Sequence, residues 1–251
     1  MTVARLGLLI FACVLGAVFV GMLLSNLPSV VHLSPEGKEI VKGSIGLVAT
    51  MTALLLGLLV ASAKESHDAQ QNRVMQIAAK VAFLDRALAN CGPEATEARE
   101  ELRDDLAIMI DRIWPADKSV STRLDPFSSR GDMLYDSIQS LSPQNDAHRS
   151  AKSLALKTAF DIGQLYSEMF AQVGTAIPKP LLIAVVSWLV FIFMSFGLFA
   201  PPNAAVIIAL TAAALSVTTA LVMVLDLDRA FDGWIGVSDE PMRGVLRHLG
   251  R

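Results

Sequence analysis

Charged side chains are absent from four stretches of this chain, residues 6–24, 44–63, 181–199 and 204–225, and are frequent between the second and third. Crossing about 30 Å of hydrocarbon takes about 20 helical residues, so each stretch is long enough to span a bilayer. The stretch at 6–24 follows Arg5 in the manner of a signal peptide, but it exceeds the usual hydrophobic region of roughly 7–15 residues. No small-x-small cleavage site precedes Asn26-Leu27-Pro28, so it is read as a span.

Between the spans the period is helical. Ser34-Pro35-Glu36 has the order of a helix start, with Ser as cap, Pro at the first position and an acid in the first turn. From there the chain can run straight through span two, while Gly37 and Gly43 make a bend near Gly43 an equal option. No Pro separates span two from the charged stretch after Lys64, so one helix is expected to start inside the membrane and leave it. Val74, Ile77, Val81, Leu84 and Leu88 then form a core-facing stripe, and Asn90-Cys91-Gly92-Pro93 ends the helix. Pro93-Glu94 opens another helix with Leu102, Leu106, Met109, Ile110 and Ile113 inward, stopped by Trp114-Pro115. Residues 116–131 read as a loop and 133–141 as a short amphipathic helix. Ser142-Pro143 begins a long helix to Val173 with Leu154, Leu156, Phe160, Leu165, Met169 and Phe170 inward, and 174–180 is a break.

Spans three and four form a hairpin through Ala200-Pro201-Pro202-Asn203. Trp188, Phe191, Phe193, Phe196 and Phe199 make span three bulky and turn it toward lipid, while Thr211, Ser216, Thr218 and Thr219 turn span four toward protein. After it, Asp226, Asp228, Arg229 and Asp232 suit headgroups, and Phe231 and Trp234 suit the aromatic belt. The tail reads as a short amphipathic helix on the bilayer surface, with Met242, Val245, Leu246 and Leu249 inward. The fold class is therefore an all-α membrane protein, with four transmembrane helices and a cytoplasmic helical bundle inserted between spans two and three. Spans one and two occupy 1–63, the insert 64–178, spans three and four 179–225, and the interfacial tail 226–251.

Composition agrees: 53% of the 251 residues are hydrophobic and the mean hydropathy is +0.50. Of the 21 Lys and Arg, only Lys38 and Lys42 lie between spans one and two, and none lies between three and four. Arg5, Lys64, Arg73, Lys179, Arg229 and Arg243 flank the other ends, which places both termini and residues 64–178 in the cytoplasm. A net charge of −3, with no basic patch carrying aromatics, gives no reason to expect nucleic acid as a partner.

The candidate chemistry lies in span two. Gly46, Thr50, Ala53, Gly57, Ala61 and Lys64 recur at steps of four, three, four, four and three, which lays them along one helical face. One reading is close helix packing, since Gly57-x-x-x-Ala61 is a small-xxx-small pattern. The other is a pore face repeated around an axis, with Thr50 as a polar ring and Lys64 or Glu65 as a charged ring at the inner mouth. Enzyme chemistry has little support: there is no Gly-x-Ser-x-Gly, His-Glu-x-x-His or phosphate-binding Gly-rich loop, and His32, His67, His148 and His248 are scattered. His67 reads as a solvated or interface histidine. Cys13 and Cys91 fall on opposite sides of an interface and cannot pair, and neither a metal nor a cofactor is implied. Aspartates 226, 228 and 232 could attract a cation, but interface charges paired with Arg229 explain them more simply.

Several runs carry a family likeness: 57–64 (Gly-Leu-Leu-Val-Ala-Ser-Ala-Lys) with Asp68, Leu84-Asp85-Arg86-Ala87-Leu88 followed by Gly92-Pro93-Glu94-Ala95, Ala98-Arg99 with Leu102-Arg103, Ile113-Trp114-Pro115, and 227–233. In order and spacing the chain resembles a bacterial family of four-span membrane proteins labelled bestrophin-like, departing where Ala230-Phe231-Asp232-Gly233 replaces the family's Pro-Phe-Ser-Gly. The resemblance implies a homo-oligomeric channel, a pentamer being one arrangement, in the bacterial inner membrane, with span two around the axis. Span two holds no Phe, Tyr or Trp to make an aromatic neck, and no acidic calcium clasp is evident, so anion selectivity and calcium gating do not carry over. The insert carries 14 Lys and Arg against 17 Asp and Glu over 64–179, a weak bias toward cations; the permeant ion stays open. The alternative is a non-conducting scaffold, sensor or accessory subunit whose cytoplasmic helices bind a partner.

Overall fold

The protein is described here from a computed structural model, covering residues 3–25, 34–115, 129–171, 177–201, 203–231 and 233–249. These residues form only helices and their connections: α1 (Val3–Leu24), α2 (Pro35–Ala89), a 3-10 turn (Pro93–Ala95), α3 (Thr96–Ile113), α4 (Ser129–Ser140), α5 (Asp146–Ala171), α6 (Lys179–Phe199), α7 (Ala204–Leu227) and α8 (Glu240–Leu246). Four of them, α1, α2, α6 and α7, are long and apolar enough to cross a membrane. Two compact units result, one from Met1–Glu65 with Thr175–Asp228, the other from Ser66–Gly174 with Arg229–Arg251.

Helix α2 is the element common to both. It starts where the cap residues require: Ser34 Oγ accepts the Gly37 amide at 3.2 Å, and the Lys38 amide bonds to Ser34 O at 3.0 Å. No break occurs at Gly43, and the helix continues for 55 residues, about 80 Å at 1.5 Å per residue. It stops before Gly92, whose φ of 103° and ψ of −176° turn the chain into the Pro93–Ala95 3-10 turn. A side chain rarely adopts that backbone, which is why glycine stands there.

In the first unit α1 packs on both α6 and α7. Ile10, Val14 and Val18 meet Val185, Leu189 and Phe193 of α6 and Ala214, Leu221 and Val224 of α7 in a core that also takes Leu59 and Ala63 of α2. The contact between α1 and α6 is made by glycine. A Cβ on Gly21 would lie 2.0 Å from Met194 O, and one on Gly197 would lie 2.1 Å from Val18 O, so the two backbones touch. The expected roles of spans three and four hold only in part within the chain: Phe191 and Phe196 of α6 are exposed, but Phe193 is buried, and α6 has more of its most apolar window covered than α7 (33% against 17%). Bulk in α6 was expected to mean lipid contact, yet Gly197 lets the helix come close enough for its Phe193 to be buried instead.

The second unit has its own core. Val74, Ile77, Val81, Leu84 and Leu88 are all within 2% of full burial, as their spacing predicts, and Leu102, Leu106, Ile110 and Ile113 of α3 face them, with Met109 packed at the edge. Each such side chain contributes roughly 1.5–3 kcal/mol by leaving water. Arg99 bonds Asp85 beside the turn, and Lys80 Nζ bonds Asp161 Oδ2 at 2.8 Å between α2 and α5.

Three expectations for this unit are corrected. Helix α5 begins at Asp146 rather than Ser142, because Asn145 supplies the cap, accepting the His148 amide at 2.8 Å. Its inward face is Ala155, Thr158 and Met169, with Leu156, Ile162 and Leu165 packed beside them; Leu156, Leu165 and Met169 are inward as expected, whereas Leu154, Phe160 and Phe170 are exposed (43%, 66% and 40%). The short helix α4 starts at Ser129, so 129–131 is helix; the rest of the expected loop, 116–128, lies outside the described residues, as do 26–33 and 172–176 of the other two connections. Finally, the tail does form a short helix with Met242, Val245, Leu246 and Leu249 inward, but these side chains meet protein: Met242 and Leu249 are buried in the core of the second unit with Ala230 and Val237, and Val245 and Leu246 pack against it. Phe231, expected in an aromatic belt, instead meets Trp114 edge to face at 5.7 Å and 77°.

Candidate functional site

Span two touches the rest of its unit along one narrow edge. Ile45, Thr52, Leu59 and Ala63 are buried, spaced seven, seven and four apart, which keeps them on one side of a helix turning 3.6 residues at a time. All seven candidate residues, Gly46, Thr50, Ala53, Gly57, Ala61, Lys64 and Glu65, are exposed. A Cβ on Gly46 or on Gly57 would meet nothing within 4 Å. Among the described residues close glycine packing therefore occurs elsewhere, at Gly7, Gly21 and Gly197, and nothing described covers the small stripe of span two.

The stripe is uniform in chemistry. Between Lys42 and Lys64 helix α2 holds no ionisable side chain, and its threonines bond locally: Thr50 Oγ1 donates to Gly46 O at 2.9 Å and Thr52 Oγ1 to Val48 O at 2.7 Å. Leu47, Leu54 and Leu58 stand exposed alongside the stripe, at 64%, 66% and 60%. On the other flank Gly46 borders an apolar groove of about 430 Å³ with Ile45, Ala49, Phe196, Phe199 and Leu210, and Lys42 also lines it. Lys64 and Glu65 end the stripe, both exposed.

Gly21 and Gly197 are the positions that sequence reasoning passed over. The signal was available: a glycine inside an apolar helix costs about 1 kcal/mol against alanine and is retained for a packing reason.

The other singled-out residues do not assemble into a reactive centre. Among the described residues no group of three or more His, Cys, Asp and Glu is placed to hold a metal ion. Asp226 is buried and Asp228 half-buried, while Asp232 lies outside the described residues. Of the two expectations for His67, the solvated one is overturned, since its side chain is 11% exposed and its Nε2 donates to Ile235 O at 3.0 Å. Cys91 is buried, its thiol pushed up first by desolvation and then by Glu94, with Lys152 opposing. His148 lies against Gly92, His248 is exposed and bonds Gly244 O at 2.8 Å, and His32 lies outside the described residues.

No match to the chain is found among curated proteins or among solved structures. The Bestrophin-like domain, however, matches residues 12–242, from inside the first span to α8, so the region it covers takes in the later half of span one, the other three spans and the helical insert. With four helices able to cross a membrane and a match of that extent, the chain belongs to the bestrophin-like family of membrane proteins.

Proposed function

We propose that this protein is a homo-oligomeric ion channel in which copies of span two surround the conduction path, with Gly46, Thr50, Ala53, Gly57 and Ala61 along it and Lys64 and Glu65 at its inner mouth. The observation that carries the reading is the stripe itself: Gly46, Thr50, Ala53, Gly57 and Ala61 are exposed and a Cβ on either glycine would meet nothing within 4 Å, while the same helix attaches to its own chain through Ile45, Thr52, Leu59 and Ala63. Small residues allow helices of neighbouring copies to approach an axis closely, and a lining of methyl groups and Cα hydrogens suits a constriction that gates by dewetting. Thr50 would form the polar ring within it. A pentamer is one arrangement that fits, in a bacterial inner membrane with the termini and residues 64–178 on the cytoplasmic side.

Recording from purified protein in planar bilayers tests the proposal. Single-channel steps are expected, reduced or abolished by Gly57→Leu, which would place a bulky side chain in each copy's stripe. Silence from an intact oligomer would overturn it, as would steps that Gly57→Leu leaves unchanged. Particle symmetry in detergent offers a second check: fourfold or higher rotation about an axis through span two is expected.

A specific observation favours the other reading, a non-conducting scaffold. Phe83 on α2 and Phe160 on α5 are 49% and 66% exposed in the second unit, apolar surface that a partner protein could cover. Co-purification of one stoichiometric partner, lost on Phe160→Ser, together with silent bilayers, would select it.

A further inference from the structure

After α7 the chain makes a tight turn that displays an indole. Trp234 is 96% exposed and Ile235 next to it 42%. The backbone on either side is held firmly: the Gly233 amide bonds Arg229 O at 3.0 Å and the Val237 amide bonds Ala230 O at 2.7 Å. Val237 O accepts Trp114 Nε1 at 2.8 Å, and Ile235 O accepts His67 Nε2 at 3.0 Å. Phe231, three positions before Trp234, takes the inward place against Trp114. The fold thus sorts two neighbouring aromatics, one into the core and one outward.

Chain length limits where Trp234 can be. It lies seven residues beyond Leu227, the end of α7, and at about 3.3–3.6 Å per residue it cannot be more than about 25 Å from the end of span four. Ile235 is bonded to His67, three residues past Lys64 on the same helix as span two, or about 4.5 Å along its axis. The chain length allows this and the His67 bond carries it: the turn is held beside the part of α2 that directly follows the apolar segment of span two. An indole, with an apolar body and one N–H donor, is most stable at the depth where a span leaves hydrocarbon.

We propose that Trp234 and Ile235 insert at the headgroup and acyl boundary of the leaflet where span four ends, and that the Ile235 carbonyl and His67 join this lipid contact to helix α2 at the exit of span two. The partner is the lipid surface itself. The contact gives bilayer composition a direct handle on α2, and it holds whether or not the protein conducts.

The test uses full-length protein in phosphatidylcholine nanodiscs, taking the Trp234 emission as the difference between wild type and Trp234→Phe. Lipids brominated at acyl carbons 6 and 7 are expected to quench that difference at least twofold, and aqueous iodide to leave it nearly unchanged. Quenching by iodide but not by bromolipid would put Trp234 in water. Quenching by neither would put it under protein, a second copy included, and either result overturns the proposal. His67→Ala is expected to reduce the bromolipid quenching, with His67→Gln, which retains a donor, closer to wild type. Equal quenching in wild type and both variants, all folded by their melting curves, would remove His67 from the contact.

Discussion

Arg99 grips Asp85 with two parallel hydrogen bonds, Nε to Oδ1 at 2.8 Å and Nη2 to Oδ2 at 3.0 Å, beside the turn at which α2 gives way to α3. The side chains are 24% and 13% exposed, so the pair is only partly screened, and the bond to Asp85 raises the guanidinium above its ordinary value despite its burial. Two-point geometry of this kind needs a planar fork, which lysine lacks. Arg99→Lys and Asp85→Asn should each lower stability by about 1.5–3 kcal/mol. Thermal melts in detergent measure the effect, and a double variant no worse than either single one would identify the pair as the shared cause. Melts that stay at the wild-type temperature would mean the two helices are held by apolar packing alone.

The glycines of the first unit should divide into two classes. Gly197→Ala would place a methyl 2.1 Å from Val18 O, and because the obstacle is backbone, α1 and α6 must separate. Overpacking commonly costs about 1–3 kcal/mol, and a backbone clash lies at or beyond the upper end. Gly57→Ala meets nothing within 4 Å in its own chain, so the fold of one subunit should tolerate it or gain slightly in helix propensity. Yield of monodisperse protein and melting temperature compare the two; a tolerant Gly197 would contradict the close approach of the helices.

Gly92→Ala should destabilise the second unit. Its φ of 103° is unfavourable for any residue with a Cβ, and the added methyl would lie 3.1 Å from the His148 ring. Strain of about 1–3 kcal/mol is expected. Pairing the change with His148→Ala relieves the crowding but leaves the backbone cost, so partial recovery of the melting temperature separates the two causes.

Cys91 should resist alkylation in the folded protein. Its side chain is 2% exposed, its Sγ donates to Ala87 O at 3.4 Å, and burial with the nearby Glu94 raises the thiol, so the reactive thiolate is scarce at neutral pH. Raising the pH increases thiolate only when it passes the elevated value, so labelling by a soluble maleimide should stay slow through pH 8 in a Cys13→Ser background. Denaturant should then expose it at once. Rapid labelling of native protein at pH 7 would show that the corner between α2 and α3 opens.

Much of the architecture was legible along the chain. Four uncharged stretches announce four spans because hydrocarbon penalises charge so heavily, and Ser34-Pro35-Glu36 and Gly92-Pro93 set the ends of α2 because caps and breakers act through neighbouring backbone groups. The stripe from Val74 to Leu88 was also readable, since its large aliphatic residues recur at the helical period. The small-residue pattern of span two was visible, and with it the two uses to which such a face can be put.

What tertiary structure alone decided is which surface covers which. Helix α5 buries Ala155 and Thr158 and leaves Phe160 out, α6 is drawn against α1 through Gly197, and Met242 and Leu249 go into a core more than a hundred residues away in sequence. Hydropathy records how strongly a side chain avoids water and carries nothing about its neighbour, and the closest contacts belong to the smallest residues, which contribute least to any periodic signal. The exposed stripe from Gly46 to Ala61 follows the same rule: its spacing was written in the sequence, but only the packed chain reveals that none of the described helices covers it.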